Sequence, residues 1–236
     1  MCKSVYLALD FHSLEETKLF LETHELAGIP VKVGMQLFYA EGHQVLDYLK
    51  SKDHPIFLDL KLHDIPNTVK QAIKSLSDYE LDFINVHSAG GRQMIEAAKE
   101  GIEASGNQTK LLAVTQLTSM DDHSLKNDLL IHHSMEDTVK HYAKISQISG
   151  VDGVVCSVRE VEVIKSICGE TFITVCPGIR LSNDHPDDQK RIATPSDARK
   201  VNSDCIVVGR SVTKACQPNE AYQRMLKEWS LSYVKE

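Results

Sequence analysis

The sequence lacks an excess of basic residues and lacks long apolar runs. Its formal net charge is −7, from 26 Lys and Arg against 33 Asp and Glu. This balance argues against a general nucleic-acid-binding protein, which needs a basic surface, but it allows a local basic pocket for an anionic ligand. No apolar run approaches the length of a membrane span, and the first residues meet Asp10 without a hydrophobic core. We therefore expect neither a membrane segment nor a signal peptide.

Several common functional motifs are also missing. None of the six cysteines forms a Cys-x-x-Cys pair, and several lie in apolar runs, so we interpret them as small buried residues of a protein in the reducing cytoplasm. The sequence contains no P-loop, no His-Glu-x-x-His and no Gly-x-Ser-x-Gly motif. His133, Asp137 and His141 share a helical spacing, but a solvated helix face explains them, and we expect no metal site.

What the chain does contain is an alternation of short apolar runs with amphipathic segments. The runs are rich in Val, Ile, Leu and Phe, as strands buried on both faces are, and they span residues 4–11, 30–38, 55–62, 81–88, 110–117, 151–157, 171–179 and 204–211. Eight helical segments accompany them, some opened by capping boxes such as Ser13–Glu16. This pattern predicts a (β/α)8 TIM barrel, as a single domain over residues 1–236. An open doubly wound sheet is the alternative, weakened by the lack of Gly-x-Gly-x-x-Gly after the first strand.

Residues 55–69, PIFLDLKLHDIPNTV, begin as an apolar strand, end as a helix start and carry three charges in between. Asp59 and Lys61 should share one face of the third strand because strand side chains alternate, and Asp64 follows where the strand gives way to a loop. Buried charges are costly unless they are paired. We interpret the pattern as a reactive site, with a buried ion pair that fixes strand register as the alternative.

Other strand ends add to this group, since the carboxyl ends of barrel strands carry the reactive residues. Asp10 ends the first strand and Lys32 lies in the second. With Asp59 and Lys61 they would form a self-compensating network in which each lysine keeps its proton. We therefore interpret Lys61 as an ammonium general acid, because an amine nucleophile would need desolvation or a cationic neighbour.

The last strands indicate a phosphate site. Gly209 and Arg210 end the eighth strand and precede a short possible helix, an arrangement that suits phosphate binding in such barrels. Arg180 follows the seventh strand and would face them, with a solvated loop residue as the alternative. The polar stretch 180–194 is expected to act as a lid.

The fourth strand ends Asn85-Val86-His87. His87 is either a site residue or a hydrogen-bonded structural imidazole, and the sequence leaves both open. His63 should face away from Lys61 and support the site from outside.

These residues resemble the bacterial form of the orotidine 5′-phosphate decarboxylase family. The resemblance rests on FLDLKLHDIPNTV, and on LALDF, VKVG, NVHSAGG, AVTQLTS, PGIR, DDQKRIATP and VVGRSVT, which follow in order and cover nearly the whole chain. The one departure is Ser88, where the family pattern leads us to expect Ala, and it affects no catalytic residue.

The resemblance implies cofactor-free and metal-free decarboxylation of orotidine 5′-monophosphate to UMP and carbon dioxide, in de novo pyrimidine biosynthesis. It implies a homodimer with shared active sites, in which the partner chain lends Asp64 to Lys32, Asp59 and Lys61. It assigns Asp10 and Lys32 to the ribose and its surroundings. The remaining implied substrate-binding residues are Thr118 for the pyrimidine, Pro177 for its apolar pocket, Gln189, Gly209 and Arg210 for the phosphate, Arg180 at the lid, and Ile65 and Thr68.

The chemistry of this reaction fits the charges. Loss of carbon dioxide from C6 leaves a carbanion without an adjacent electron sink, so the site must stabilise that charge and protonate it, and Lys61 suits both tasks. Repulsion between Asp59 and the substrate carboxylate, at ~4 Å and an effective dielectric near 20, contributes about 4 kcal/mol at most. The largest enzymatic accelerations need roughly 20 kcal/mol. The remainder would come from placing Lys61 and from phosphate binding energy used to close the lid.

Two other functions compete with this interpretation. A Mg²⁺-dependent sugar-phosphate decarboxylase or aldolase on the same barrel shares the Asp-x-Lys-x-x-Asp pattern, but the continuation after Asp64 and the presence of Thr118 favour the pyrimidine enzyme. A non-catalytic nucleotide-binding protein would be expected to lose Lys61 or one aspartate, and this chain keeps them all. Chelation by EDTA would inactivate only the metal-dependent enzyme.

Overall fold

The chain forms a closed barrel of eight parallel strands that neighbour one another in sequence order. The structure is a computed structural model that describes residues 3–181 and 191–230. Its strands are β1 Ser4–Ala8, β2 Val31–Gly34, β3 Ile56–Leu62, β4 Phe83–His87, β5 Lys110–Val114, β6 Gly153–Val155, β7 Ile173–Ile179 and β8 Cys205–Val208. β8 pairs with β1 and closes the ring. The predicted (β/α)8 barrel is confirmed, and the open-sheet alternative is wrong.

Helices follow the strands around the outside of the barrel. They are α1 Leu14–Thr23, α2 Met35–Glu41, α3 His43–Ser51, α4 Pro66–Ser77, α5 Gly91–Ser105, α6 Asp122–Asn127, α7 Met135–Ile148, α8 Val161–Cys168, α9 Pro195–Lys200, α10 Arg210–Thr213 and α11 Pro218–Ser230. The Ser13 side chain caps α1 by accepting a hydrogen bond from the Glu16 backbone N–H at 3.1 Å, as its capping box predicts.

Two element boundaries differ from the sequence prediction. The second apolar run was expected to stay extended to Phe38, but β2 ends at Gly34 and α2 begins at Met35. The residues of α2, MQLFYAE, include several good helix formers and no β-branched residue, so helix propensity prevails over apolar character. The segment between Phe38 and Lys50 is also two helices, because Gly42 adopts a φ of 60° between them.

The side chains divide into two apolar layers. One layer fills the barrel interior: Tyr6, Ala8, Phe57, Phe83, Leu112, Val114, Val155, Ile173, Val175, Cys205 and Val207. The other packs the strands against the helices. Near the amino-terminal ends of β1, β3 and β4, the rings of Tyr6, Phe57 and Phe83 meet edge to face with centroids 5.7–6.1 Å apart. The three aromatic rings therefore pack against one another towards that end of the interior.

Two sequence expectations about small residues can be checked. Cys156, Cys168, Cys176 and Cys205 are buried free thiols, as their apolar surroundings predict. Ser88, the departure from the family pattern, is fully buried, and its Oγ lies 3.1 Å from the Oγ of Ser146 on α7. The extra hydroxyl therefore has a polar partner inside the fold.

Within residues 3–181 and 191–230, no helix is long and apolar enough to cross a membrane.

Candidate active site

The polar cavity lies at the carboxyl ends of the strands and has a volume of about 810 Å³. Nine of the residues singled out from the sequence line it: Asp10, Lys32, Asp59, Lys61, Thr118, Pro177, Arg180, Gly209 and Arg210. A second cavity, of about 720 Å³, opens at the amino-terminal end beside Tyr6, Asp82 and Lys110. The site is assigned to the carboxyl end because the alternating charges converge there.

Four charged side chains form a chain of ion pairs across this cavity. The Lys32 ammonium donates to Asp10 Oδ1 at 2.9 Å and lies 3.7 Å from Asp59 Oδ2. The Lys61 ammonium donates to Asp59 Oδ1 at 2.7 Å. Asp59 therefore stands between two lysines, which is the compensating arrangement predicted from the sequence.

The ion pairs outweigh the effect of burial on two of these groups. Burial, the largest single influence on Asp59, would raise its pKa, but the charges of Lys32 and Lys61 and the hydrogen bonds of Lys61 and Asn85 together hold the pKa below its ordinary value. Burial would likewise lower the pKa of Lys32, but Asp59 and Asp10 raise it above its ordinary value. At neutral pH Asp59 is therefore ionised and Lys32 is protonated.

Lys61 reaches the cavity from an irregular backbone. Its φ is 51°, in the left-handed region, and the pairing of β3 with β4 shifts register between Leu58 and Leu62. The backbone N–H of Lys61 donates to Asn85 Oδ1 on β4 at 2.7 Å. Strand alternation correctly predicted that Lys61 and Asp59 lie together, but it could not predict the bulge.

Gly34, at the end of β2, makes room for the Lys32 ammonium. A Cβ at this position would lie 2.9 Å from Lys32 Nζ and 3.3 Å from Asp10 Oδ1. The backbone of Gly34 is extended, with φ −93° and ψ 176°, so the glycine is needed here for space rather than for an unusual conformation. Sequence reasoning missed Gly34 because the atom that its Cβ would meet is the ammonium nitrogen of Lys32, at the far end of a side chain two residues away.

The loop after β5 carries Thr118 and is held by a residue from another loop. Arg191 pairs with Glu160, and its Nη2 donates to the carbonyl of Leu117 at 2.8 Å. The Glu160 carboxylate also accepts from the Ser157 backbone N–H at 2.8 Å. Arg191 thus ties three segments together directly beside Thr118. Arg191 lies in DDQKRIATP, but that motif assigned it no role, because its partners are 31 and 74 residues away.

The rim formed by β7 and β8 is basic. Gly209, Arg210 and Lys214 line the cavity on this side, and Arg180 at the end of β7 is only 7% exposed. The interpretation of Arg180 as a solvated loop residue is therefore wrong. Gln189 and most of the expected lid, residues 182–190, lie outside the described residues.

Asp64, Ile65 and Thr68 are placed apart from the cavity of their own chain. Asp64 and Ile65 immediately precede α4 and Thr68 lies in its first turn, all three exposed. The Asp64 carboxylate accepts from the Ile65 backbone N–H at 2.6 Å.

His63 and His87 stack on each other, with ring centroids 5.7 Å apart and planes 15° apart. His87 Nδ1 accepts from the Ala89 backbone N–H at 3.2 Å. Burial lowers the pKa of His87, and the nearby charges of His63 and Lys61 lower it further. Neither ring lines the cavity of its own chain.

Other residues in the site were not singled out from the sequence. Asn85 was noted only as part of a strand end and of NVHSAGG, without a role, yet its side chain contacts both Asp59 and Lys61. His12, Gln116, Ser119 and Lys214 also line the cavity. Gln116 and Ser119 lie in AVTQLTS, but only Thr118 of that motif was assigned a role. Alternation along β4 was the signal that could have directed attention from His87 to Asn85, two positions earlier. In the part of the chain that the structure describes, no three His, Cys, Asp or Glu side chains are grouped to hold a metal ion.

The chain is similar to a defined family and to named bacterial proteins. Residues 3–225 match the family described as "Orotidine 5'-phosphate decarboxylase / HUMPS family". Proteins named orotidine 5′-phosphate decarboxylase from Bacillus cytotoxicus and Bacillus mycoides are 51% and 50% identical over 233 residues, which is 97% of this chain and 98% of theirs.

Solved structures agree with this similarity. The structure titled orotidine 5′-phosphate decarboxylase from Lactobacillus acidophilus matches with a TM-score of 0.86 and 40% identity, covering 97% of this chain and all of that one (100%). An uncharacterized conserved protein from Geobacillus kaustophilus matches with a TM-score of 0.84 and 45% identity, covering 96% of this chain and 100% of its own.

Proposed function

Because this chain belongs to the orotidine 5′-phosphate decarboxylase / HUMPS family and decarboxylates orotidine 5′-monophosphate in pyrimidine biosynthesis, we propose that Lys61 is the acid that protonates C6 of the pyrimidine. The observation that carries this proposal is the position of its ammonium, which lies in the cavity and 2.7 Å from Asp59. When the bond between C6 and the carboxylate breaks, its electron pair stays on C6 and carbon dioxide leaves. A proton from Lys61 Nζ then forms the new C–H bond of UMP.

Asp59 has two proposed roles in this carbon–carbon lyase. It holds the Lys61 ammonium in place, and its charge repels the substrate carboxylate in the ground state but not the departing carbon dioxide. The lowered pKa of Asp59 supports both roles, since the group must be ionised to perform them. The repulsion contributes about 4 kcal/mol at most, so the position of Lys61 and the binding of the phosphate must supply most of the acceleration.

The rest of the substrate would lie across the cavity. We assign the phosphate to Gln189, Gly209 and Arg210, with Arg180 at the lid, and the basic rim that includes Arg210 supports this assignment. Asp10 and Lys32 would hold the ribose and its surroundings, and their ion pair of 2.9 Å keeps both side chains in place. Thr118 would hydrogen-bond the pyrimidine, and Pro177 would line its apolar side.

The active sites would be shared across a homodimer. We propose that Asp64, Ile65 and Thr68 complete the site of a second copy of the chain, with Asp64 joining Lys32, Asp59 and Lys61 there. Two observations support this assignment: none of the three lines the cavity of its own chain, and the Ile65 side chain is 67% exposed. This exposed isoleucine and the exposed carboxylate next to it would both be covered if a second copy of the chain packed here. The buried free thiols fit a cytoplasmic enzyme.

The proposed function is tested by following the ultraviolet absorbance of orotidine 5′-monophosphate with purified enzyme, with and without excess EDTA. We expect the substrate band to disappear at the same rate in both samples. Loss of activity only in the sample with EDTA would instead point to a metal-dependent site and contradict the metal-free role proposed for Lys61.

The role of Lys61 is tested with Lys61→Ala. Removing a general acid typically costs about 10²–10⁴-fold in rate, and here it also removes the cation that stabilises the carbanion, so we expect a loss at or above that range. UMP should still bind, which calorimetric titration measures. Retained turnover with weakened UMP binding would contradict the assignment of Lys61 as the acid.

A further inference from the structure

Asn85 contacts both halves of the reactive pair while staying outside the cavity. It lies in β4 with no exposed surface (0%). Its Oδ1 accepts the backbone N–H of Lys61 at 2.7 Å, and its Nδ2 donates to Asp59 Oδ1 at 2.7 Å. The oxygen faces a donor and the nitrogen faces an acceptor, so both contacts require the same orientation of the amide.

The first contact stabilises an uncommon backbone conformation. Lys61 has a φ of 51°, which non-glycine residues adopt rarely and keep only where the surroundings determine it. The register shift between β3 and β4 takes the Lys61 N–H out of the regular ladder. Asn85 supplies the acceptor for this N–H, which would otherwise have to find another partner in a partly buried position.

The second contact fixes the rotation of a carboxylate. Asp59 Oδ1 receives both the Lys61 ammonium and the Asn85 amide at 2.7 Å, while Oδ2 faces Lys32 at 3.7 Å. Without Asn85, the carboxylate could turn its Oδ1 away from Lys61 towards the other lysine. The amide therefore keeps Asp59 associated with Lys61.

We propose that Asn85 is a positioning residue for the decarboxylation, which sets the direction of the Lys61 side chain through its backbone and the orientation of the Asp59 carboxylate through its amide. The proposal rests on the roles proposed above for Lys61 and Asp59, and it adds a residue that acts on substrate only through them. A residue that merely fills space in the barrel wall would stabilise the fold without changing the chemical step.

The test compares Asn85→Ala and Asn85→Asp with the control Ser88→Ala. Ser88 is also buried and follows the same strand, and its Oγ lies 3.1 Å from the Oγ of Ser146, away from the reactive pair. For Asn85→Ala we expect kcat to fall about 10²-fold, because misplacement of a reactive group by about 1 Å has that effect. The Kd for UMP, measured by titration calorimetry, should change by less than about threefold, since UMP has no carboxylate to contact this pair. Ser88→Ala should keep the wild-type kcat.

Asn85→Asp separates positioning from stability. Its carboxylate keeps an acceptor for the Lys61 N–H but lies against Asp59, and two carboxylates so close cannot both ionise easily. Lys32 and Lys61 hold Asp59 ionised, so the shared proton would lie on the new side chain, where its O–H reproduces the amide donor. The ratio of variant kcat to wild-type kcat should therefore rise as the pH falls, while the ratio for Asn85→Ala should stay flat.

The outcomes decide whether Asn85 positions Lys61 and Asp59 or only fills space in the barrel wall. A kcat for Asn85→Ala within about twofold of the Ser88→Ala control, or a pH-independent ratio for Asn85→Asp, would overturn the proposal. If Asn85→Ala fails to fold, the pH dependence of Asn85→Asp still decides. If Lys61→Ala remained active, the proposed function would fail, whereas an inactive Lys61→Ala with a fully active Asn85→Ala would refute only the role of Asn85.

Discussion

At the residue scale, the site depends on one carboxylate that serves two lysines. Asp59 lies 2.7 Å from the Lys61 ammonium and 3.7 Å from the Lys32 ammonium. A carboxylate shared in this way is held ionised from both sides, and each lysine depends on it for part of its compensation. Protonating Asp59, or moving its carboxylate, should therefore weaken the ion pairs of both lysines.

The acid side of the pH profile follows from Asp59. Its pKa is held below the ordinary 3.8, so its contribution to the charge network is present above that value and is lost only as the pH falls through the lowered pKa. We expect kcat to show no acid limb above about pH 4.5. A limb near pH 6 should appear only in kcat/KM, since phosphate monoesters have a second pKa of about 6. Measuring both parameters between about pH 4.5 and 8 tests this, and a falling kcat at pH 6 would contradict it.

Gly34→Ala should reduce activity through Lys32. The added methyl would lie 2.9 Å from Lys32 Nζ, so the ammonium must move away from the position where it meets Asp10 and Asp59. The extended backbone of Gly34 accepts alanine, so the melting temperature should change little while kcat/KM falls by about 10-fold or more. Gly28→Ala is no suitable control, because Gly28 has a φ of 67°. Gly209→Ala is unsuitable too, since it lies at the proposed phosphate site. Steady-state kinetics measures kcat/KM, and thermal unfolding of the same sample measures the melting temperature, so the effect on activity is separated from the effect on stability.

The residues that sequence reasoning found and those it missed differ in one physical respect. Asp59 and Lys61 could be predicted because charges are costly within a buried strand, and alternation puts the two on one face. Asn85 could not be assigned, because its role depends on the φ of Lys61 and on the local register between two strands. Arg191 and Gly34 likewise act on neighbours that only the folded chain brings close.

At the scale of elements, the barrel follows directly from the burial pattern of its strands. All eight strands could be predicted because strands covered on both faces are nearly continuous apolar runs. The start of α2 could not, because MQLFYAE is apolar enough to resemble a continuation of β2. The loops, which carry most of the specificity, have no periodic pattern to be recognised by.

The link between loops at Arg191 predicts a coupled effect on stability and substrate binding. The side chains of Arg191 and Glu160 are 10% and 7% exposed, and removing one partner of such a buried pair costs about 3–5 kcal/mol. We expect Arg191→Met to lower the free energy of unfolding by that order and to raise KM, because the loop of Thr118 loses its support. Denaturant unfolding and steady-state kinetics provide the two measurements.

Two further variants make this prediction specific. The double variant Arg191→Met with Glu160→Gln should lose less stability than the two single changes added together, since it leaves no unpaired buried charge. Lys140→Met, which breaks the exposed pair with Glu136 on α7, should leave KM and stability unchanged. An additive double variant would show that Arg191 and Glu160 do not act together.

At the scale of the whole molecule, the proposed homodimer predicts complementation between two inactive variants. Lys61→Ala keeps Asp64 and Asp64→Ala keeps Lys61, so a mixed dimer would contain one site with both residues intact and one with neither. Random mixing of equal amounts makes half of the dimers mixed, and about a quarter of all sites would regain full composition in a symmetric dimer. We expect the mixture, unfolded and refolded together, to recover activity that neither variant has alone. Failure to recover activity in samples shown to be dimeric would contradict the sharing of Asp64.

The pairing of β8 with β1 joins the first and last strands of the barrel. Asp10 follows β1, and Gly209 and Arg210 follow β8, so the ribose and phosphate positions proposed here adjoin this closure. On the ribosome, a growing chain would expose Lys32, Asp59 and Lys61 long before β8 had been synthesised. During that interval the charges proposed for catalysis would exist without the groups proposed to anchor the substrate. Premature termination before β8 would therefore yield a fragment that lacks both the closure of the barrel and the proposed phosphate anchor. Binding of a nucleotide during translation would then show that the last strand has been completed.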